Sequence, residues 1–252
     1  MSRILYLIHD PRWTASRVTD LLVGRGVEVE YRCHQSGDVL PSVEEFGESF
    51  DGVIIGGGFV GSREAAHHPF MARQIQFTRE VVDRGHRFFG ICLGAQILGA
   101  AFGARTDVRP DRRAEFGFWP VTATAAGAGL FDRSTHVFQA HDEGLLELPA
   151  GAELLAEGEW FPIQAFRIGP NAYGVQFHPD ATADAVESWW HHNTRLQDRV
   201  GAQPLADQLR DTPIHDSGRL RWLNRFLDHW LSPNPTSSLE TAPSLRTDEI
   251  LR

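Results

Sequence analysis

Two short stretches of the sequence hold residues whose types and spacing could do covalent chemistry. The first is Phe89-Gly90-Ile91-Cys92-Leu93-Gly94-Ala95-Gln96, an apolar run entering Gly-x-Cys-x-Gly and leaving in a helical pattern. A strand that turns sharply into a helix lifts the residue at the turn above the sheet edge. Glycine is needed on both sides, because a side chain there would collide with the neighbouring strand or helix. A cysteine at that turn also sits at a helix N-terminus, whose free N–H groups and dipole favour thiolate. The plainer alternative is a buried core cysteine between two small residues. The second stretch is Tyr173-Gly-Val-Gln-Phe-His178-Pro179-Asp180, a histidine at the end of an apolar strand. Pro179 fixes a turn, and Asp180 can approach the imidazole nitrogen turned away from the reacting group. A thiol, a base and a carboxylate that orients the base make an acyl-transfer site. Taken alone, His178 reads as a strand-end histidine beside a solvent-facing aspartate; opposite a cysteine elbow it reads as a base.

Both stretches must reach one edge of one sheet. Residues 2–8 are an apolar run of strand length, and 14–24 follow with Val18, Leu21 and Leu22 at helical spacing and Gly24 to end them. Strands are expected at 27–33, 50–55 and 87–91, and helices at 69–85 and 93–103. Pro69 suits the first helical position, and Met71, Ile75, Val81 and Val82 share a face. Strands alternating with helices at short spacing imply right-handed crossovers and a parallel, doubly wound α/β sheet. From 105 to 177 the pattern changes to strands at 116–124, 135–141, 163–168 and 172–177, expected to extend the sheet in antiparallel fashion. Helices are then expected at 182–199 and 218–231, the latter with a stripe of Leu223, Phe226, Leu227, Trp230 and Leu231. The division that follows is one domain over 1–200, a helical extension over 201–231 packed on it, and a disordered tail over 232–252, rich in Ser, Thr, Pro and charge.

Composition narrows the chemistry. With 252 residues, 42% hydrophobic and 23% charged, the chain reads as soluble and globular. No apolar run approaches the roughly 18–20 residues that span a bilayer, and the N-terminus does not resemble a signal peptide. A net charge of −9 argues against nucleic acid as partner. Cys33 and Cys92 alone make no disulfide framework, so a reducing, cytoplasmic compartment is expected. The sequence contains no lysine, which removes a Walker-A phosphate loop, a pyridoxal Schiff base and a lysine base.

The two motifs together resemble those of the class I (triad) glutamine amidotransferases, whose pattern is a Gly-x-Cys-x-Gly-x-Gln elbow and a distant Phe-His-Pro-Glu. Asp51-Gly-Val-Ile-Ile-Gly-Gly57-Gly58 resembles the family's strand and Gly-Gly oxyanion loop. Glu115-Phe-Gly117, Trp119-Pro-Val, Val137-Phe-Gln-Ala-His141 and Gln164-Ala-Phe166 resemble the stand-alone, GMP-synthetase-like branch. The resemblance covers about residues 1–200. It implies a flavodoxin-like three-layer fold in which Cys92 attacks a γ-glutamyl amide and His178, oriented by Asp180, protonates the departing ammonia. It also implies an oxyanion hole from Gly58 and Leu93 and substrate contacts from Gly57, Gln96 and His141. No metal or other cofactor is called for. The expected partners are glutamine or another small γ-glutamyl compound and an ammonia-accepting synthetase subunit, with neither nucleic acid nor membrane. Asp180 stands where the family usually has Glu, and Phe59 where it usually has Pro. A γ-glutamyl peptidase or transferase, or an inert interaction protein of the same fold, are the alternatives.

Other features point elsewhere less well. Gly56-x-Gly58-x-x-Gly61 has the spacing of a dinucleotide-binding loop, but such a loop opens directly into a helix, and here 62–68 intervene. His67-His68 and His191-His192 are adjacent pairs, which do not converge on a metal. His141-Asp142 suggests a metal phosphohydrolase but lacks evident partner histidines, and a pocket-rim role suits His141 better. Trp189, Trp190, Trp222 and Trp230 fall on expected helices and read as core or docking residues. The related chaperone and protease branch has histidine directly after the cysteine, where this chain has Leu93.

Overall fold

Four apolar runs of the N-terminal half pair in parallel because the helices between them return the chain to the same end of the sheet. In the computed structural model, which describes residues 2–14, 16–33 and 36–232, these are β1 (Arg3–Leu7), β2 (Glu28–Arg32), β3 (Gly52–Ile55) and β4 (Arg87–Ile91). The helices are α1 (Arg17–Val23), α2 (Val43–Ser49), α3 (Pro69–Asp83) and α4 (Leu93–Ala101). Then come β5 (Thr106–Val108), β6 (Glu115–Ala123), β7 (Ser134–His141), β8 (Glu143–Leu145), β9 (Ala152–Glu157), β10 (Ala165–Ile168) and β11 (Ala172–Val175). The chain ends in α5 (Ala183–His192), α6 (Thr194–Gln197) and α7 (Leu205–Leu231). Apart from Ser232, the tail expected to be disordered lies outside the described residues.

The main sheet has nine strands in the order β2-β1-β3-β4-β11-β10-β9-β6-β7. Pairing is parallel from β2 to β11 and antiparallel from β11 to β7. The fold is therefore the expected mixed α/β sheet with an antiparallel extension. A small antiparallel pair, β5 with β8, stands apart.

Alternate residues of the strands feed two opposite cores. On one face Ile4, Tyr6, Phe89, Ile91, Tyr173 and Val175 pack with α1 and with Trp222, Leu223, Phe226, Leu227 and Trp230 of α7. On the other, Leu5, Leu7, Val53, Ile55 and Phe88 pack with α2, α3 and α4. A third cluster joins Phe116, Phe118 and Phe138 to α5 and to Leu205 and Leu209 of α7. No described helix is long and apolar enough to cross a membrane.

Several expected boundaries move for local reasons. The helix expected over 14–24 begins at Arg17, because the Ser16 side chain accepts the Thr19 N–H and caps it. The helix expected over 182–199 breaks at Asn193, giving α5 and α6. The helix expected over 218–231 starts at Leu205 and runs 27 residues with Pro213 inside it. The short helix α2, capped reciprocally by Ser42 and Glu45, and the strands β5, β8 and β9 had no expectation.

Candidate active site

Register brings the two motifs together. β11 lies parallel beside β4 with Tyr173 opposite Phe89 and Val175 opposite Ile91, so both strands release their next residues at one point on the sheet edge. The Cys92 N–H donates to Val175 O at 2.8 Å, and the His178 N–H donates to Phe138 O at 2.7 Å. The turn at Cys92 is as tight as the sequence implied: φ is 51° and ψ −104°, a conformation rare for any residue with a side chain. A Cβ on Gly94 would lie 2.0 Å from Ile55 O, and one on Gly90 would lie 2.4 Å from Gly94 O. Neither position admits anything but glycine while the elbow keeps its shape.

Cys92 is 5% exposed and His178 6% exposed, so the pair is largely shielded from bulk water. His178 Nδ1 is 3.2 Å from Asp180 Oδ1, which leaves Nε2 for the cysteine. The carboxylate one methylene shorter than the family's usual Glu thus still reaches the ring, two residues on through the Pro179 turn. Burial works against the charged imidazole, but interaction with Cys92, with the Asp180 hydrogen bond, outweighs it. The His178 pKa is raised from 6.5 to about 10. Trp189 of α5 lies against the imidazole with ring centroids 4.5 Å apart.

The Gly57-Gly58 loop leans over the elbow. A Cβ on Gly57 would fall 2.7 Å from His178 Cε1 and 3.7 Å from Cys92 Cβ, and one on Gly58 would fall 2.6 Å from Leu93 Cδ2. Among the described residues no acceptor takes the N–H of Gly58 or of Leu93. Two backbone donors next to the elbow are therefore unused. His9 steadies the loop from behind, its Nδ1 2.8 Å from Gly57 O and its Nε2 2.9 Å from the Gln74 side chain. Burial lowers the His9 pKa, so this ring is the neutral form at pH 7.

The remaining expected residues sit in a buried polar web. Gln96 accepts the Ser62 N–H at 3.2 Å and donates to Glu143 O and the Gln176 side chain at 3.3 and 3.4 Å. Gln176 Nε2 is 3.6 Å from Cys92 Sγ. His141 borders the space beside Cys92 but is no rim residue. It is 4% exposed, and its ring nitrogens meet Glu143 O at 2.8 Å and Gln139 and Glu115 at 3.1 and 3.2 Å. Its hydrogen-bonding capacity is spent on the protein, and it fixes the backbone of Glu143.

Glu143 itself has no expected role, and its position is informative. The carboxylate is 4% exposed; Oε1 accepts from Arg63 Nε at 2.7 Å, while Oε2 is buried without a partner. Burial raises its pKa against the pull of Arg63. A Cβ on Gly61 would overlap Oε2, so only glycine lets the carboxylate lie there. The sequence hint is an acid inside Glu143-Gly-Leu-Leu, two residues after His141. Next to it Asp142 is held by Arg195 at 2.5 Å. The Gly56–Gly61 segment runs into a tight turn over Ser62–His67 rather than an α-helix, unlike a dinucleotide-binding loop. No group of three or more His, Cys, Asp or Glu among the described residues could hold a metal ion.

Comparison with known proteins gives a consistent set of relatives. The family model described as glutamine amidotransferase class-I matches residues 15–193. The glutamine amidotransferase-like protein YfeJ of Salmonella typhimurium is 28% identical over 238 residues, 90% of this chain and 96% of that protein. The glutamine-hydrolysing GMP synthase of Marinobacter nauticus is 31% identical over 195 residues, 69% of this chain and 34% of the synthase. The chain therefore spans about a third of the length of the GMP synthases it matches. Two crystal structures share the fold: a glutamine amidotransferase of Thermotoga maritima (TM-score 0.79, 23% identity, 91% of this chain and 97% of that one) and one of Methylobacillus flagellatus (TM-score 0.80, 20% identity, 92% and 94%).

Proposed function

The chain belongs to the class-I glutamine amidotransferase family, and from that premise we propose that it hydrolyses a γ-glutamyl amide through a thioester on Cys92, glutamine being the simplest substrate. The observation that carries this reading is the convergence of β4 and β11, which sets the Cys92 sulfur against an imidazole backed by Asp180. Thiolate attacks the γ-carbonyl carbon, and the oxyanion is met by the N–H groups of Gly58 and Leu93. Removing one such donor costs about 2.7–4 kcal/mol in comparable sites. The His178 imidazolium gives its proton to the leaving nitrogen as the C–N bond breaks. Neutral His178 then takes a proton from water, whose oxygen attacks the thioester, and the C–S bond breaks to release glutamate.

Glu143 Oε2, unpartnered and beside Cys92's pocket, is the anchor for the substrate's α-ammonium group, with Gln96 holding the carboxylate's backbone in line. The space beside Cys92 is about 20 Å³, the room of a single water, so the glutamyl chain displaces side chains at its mouth. Phe59, 40% exposed, and Arg195, whose side chain is 47% exposed, are the partly solvent-facing side chains of this lining. The chain spans 34% of the Marinobacter synthase, and the ammonia acceptor that belongs to this reading is a synthetase partner, with direct action on γ-glutamyl amides as the alternative. A cytoplasmic location, where the reducing environment keeps Cys92 a free thiol, goes with this reading.

Glutamate release from glutamine tests the reading. Cys92→Ala abolishes it, His178→Ala nearly does, and Asp180→Asn lowers it less, since it disturbs imidazole orientation rather than bond making. Wild-type protein that turns over no γ-glutamyl compound, and whose Cys92 escapes a glutamine-mimicking electrophile, would be an inert scaffold of the fold.

A further inference from the structure

We propose that a second cavity, lined by His178 and Asp180 rather than by Cys92, is a leaving-group site for the amine half of γ-glutamyl amides larger than glutamine. The amine it takes has an apolar, aromatic or branched body. The inference rests on the thioester chemistry proposed above and names the substrate class for it. The cavity holds about 380 Å³ and lies at the carboxyl ends of β1 and β3, between Ile8 and Gly56–Phe59. Strand order reverses there, as β1 sits between β2 and β3, and such switch points are where open α/β sheets bind ligands. The volume is within the range of small-molecule sites.

The two cavities divide one active site. Cys92, Gln96 and Glu143 line the small space, whereas His178 and Asp180 line the large one. Gly58, Phe59, Ala140 and Asn193 line both and form the partition. Chemistry assigns the halves. The acyl carbon must bond to sulfur, and the departing nitrogen must take its proton from the imidazole. The γ-glutamyl group therefore lies on the Cys92 side and the amine on the His178 side. In balance, C–S forms as C–N breaks, and the His178 proton leaves on the free amine. Water then supplies hydroxyl to the acyl carbon and a proton back to His178. Ammonia needs no chamber of this size.

The walls indicate which amine fits. Trp13 and Phe59 meet edge-on at 4.9 Å, and Trp189 closes the side next to the imidazole. Phe59 stands where the family resemblance expects proline, so this chain adds an aromatic ring at the partition. Of the charged groups at the rim, Arg12 is paired with Asp10 at 2.5 Å and Arg17 with Asp216 at 2.6 Å. Asp20 and Asp184 are exposed and screened by solvent. Among the described residues no unpaired arginine lines the cavity, so a leaving amino acid, with its carboxylate, is disfavoured against an uncharged apolar body.

The test compares kcat/KM for glutamine, γ-glutamylethylamide, γ-glutamylbenzylamide and γ-glutamylglycine, each read as glutamate released. Benzylamine is about as basic as ammonia, so a preference reflects binding rather than intrinsic lability. The benzylamide is expected to exceed glutamine about tenfold or more, from burial of the ring, and to exceed γ-glutamylglycine. Ser188→Trp, which fills the cavity from an exposed position on α5, should lower the benzylamide-to-glutamine ratio about tenfold. Trp13→Ala should lower the same ratio by removing a wall. Activity that falls steadily with amine size, or variants that change both substrates alike, would overturn the leaving-group assignment while leaving the thioester intact. Failure to turn over glutamine and every amide would overturn the thioester reading itself.

Discussion

The charge state of one imidazole decides how the site behaves with pH. Burial disfavours a proton on His178, yet Cys92 and Asp180 hold it there, with the pKa raised from 6.5 to about 10. An unfolded imidazole loses its proton near 6.5, so this pairing stabilises the fold fully below that pH and progressively less as pH rises toward about 10. We predict that kcat/KM has an alkaline limb near pH 10 in the wild type, and that Asp180→Asn moves the limb to lower pH. A limb that does not move would remove Asp180 from any role in holding the proton. The residues of this centre were legible because their constraints are local. Gly90 and Gly94 flank Cys92 within one turn, and Asp180 follows His178 by two positions. Glu143 and Trp189 were not, because an acid in a short apolar stretch and a tryptophan on a helix acquire meaning only when the chain packs.

Elements set those positions, and α7 shows how propensity can mislead. Pro213 and its polar neighbours hide the first half of a 27-residue helix, while burial of Gln208, Thr212 and Arg219 keeps it continuous. Proline in a helix interior removes a hydrogen bond and costs about 3 kcal/mol or more. Pro213 is solvent-exposed, so Pro213→Ala should raise stability by about 1–3 kcal/mol without touching the site, as read from a urea midpoint. Loss of stability would mean that the proline bend is needed for docking. α5 and α6 carry the opposite lesson. Periodicity ran through Asn193, but the break there turns Arg195 back toward Asp142 and sets Trp189 against His178. The helix α2 was in principle readable from its capping pair, Ser42 and Glu45, but its seven residues, about two turns, offer little periodicity.

Across the whole molecule, the parallel half of the sheet was readable from strand–helix alternation, and the order of the antiparallel half was not. Insertion of β11 beside β4 is a long-range pairing that no local pattern encodes, yet it is the step that joins Cys92 to His178. Beneath the site, buried glutamines link the antiparallel strands to the elbow. Gln164 donates to Glu115 and Phe161 O at 3.0 and 3.1 Å and accepts from Gln139 at 2.6 Å. Gln164→Leu strands these partners, and each buried polar group left unsatisfied costs about 1–3 kcal/mol. We expect a lower urea midpoint and weaker turnover together, since the same web holds Glu143 through His141. Unchanged stability would show that water replaces the lost side chain.

Acyl transfer to one sulfur is the central step, and acid-quenched intact-protein and peptide mass spectrometry during turnover of a γ-glutamyl amide reads it directly. A γ-glutamyl increment on the Cys92 peptide, absent in Cys92→Ala and accumulating more slowly in His178→Ala, is the predicted result. Turnover with no adduct on Cys92, or an adduct carried instead by Cys33, would contradict it.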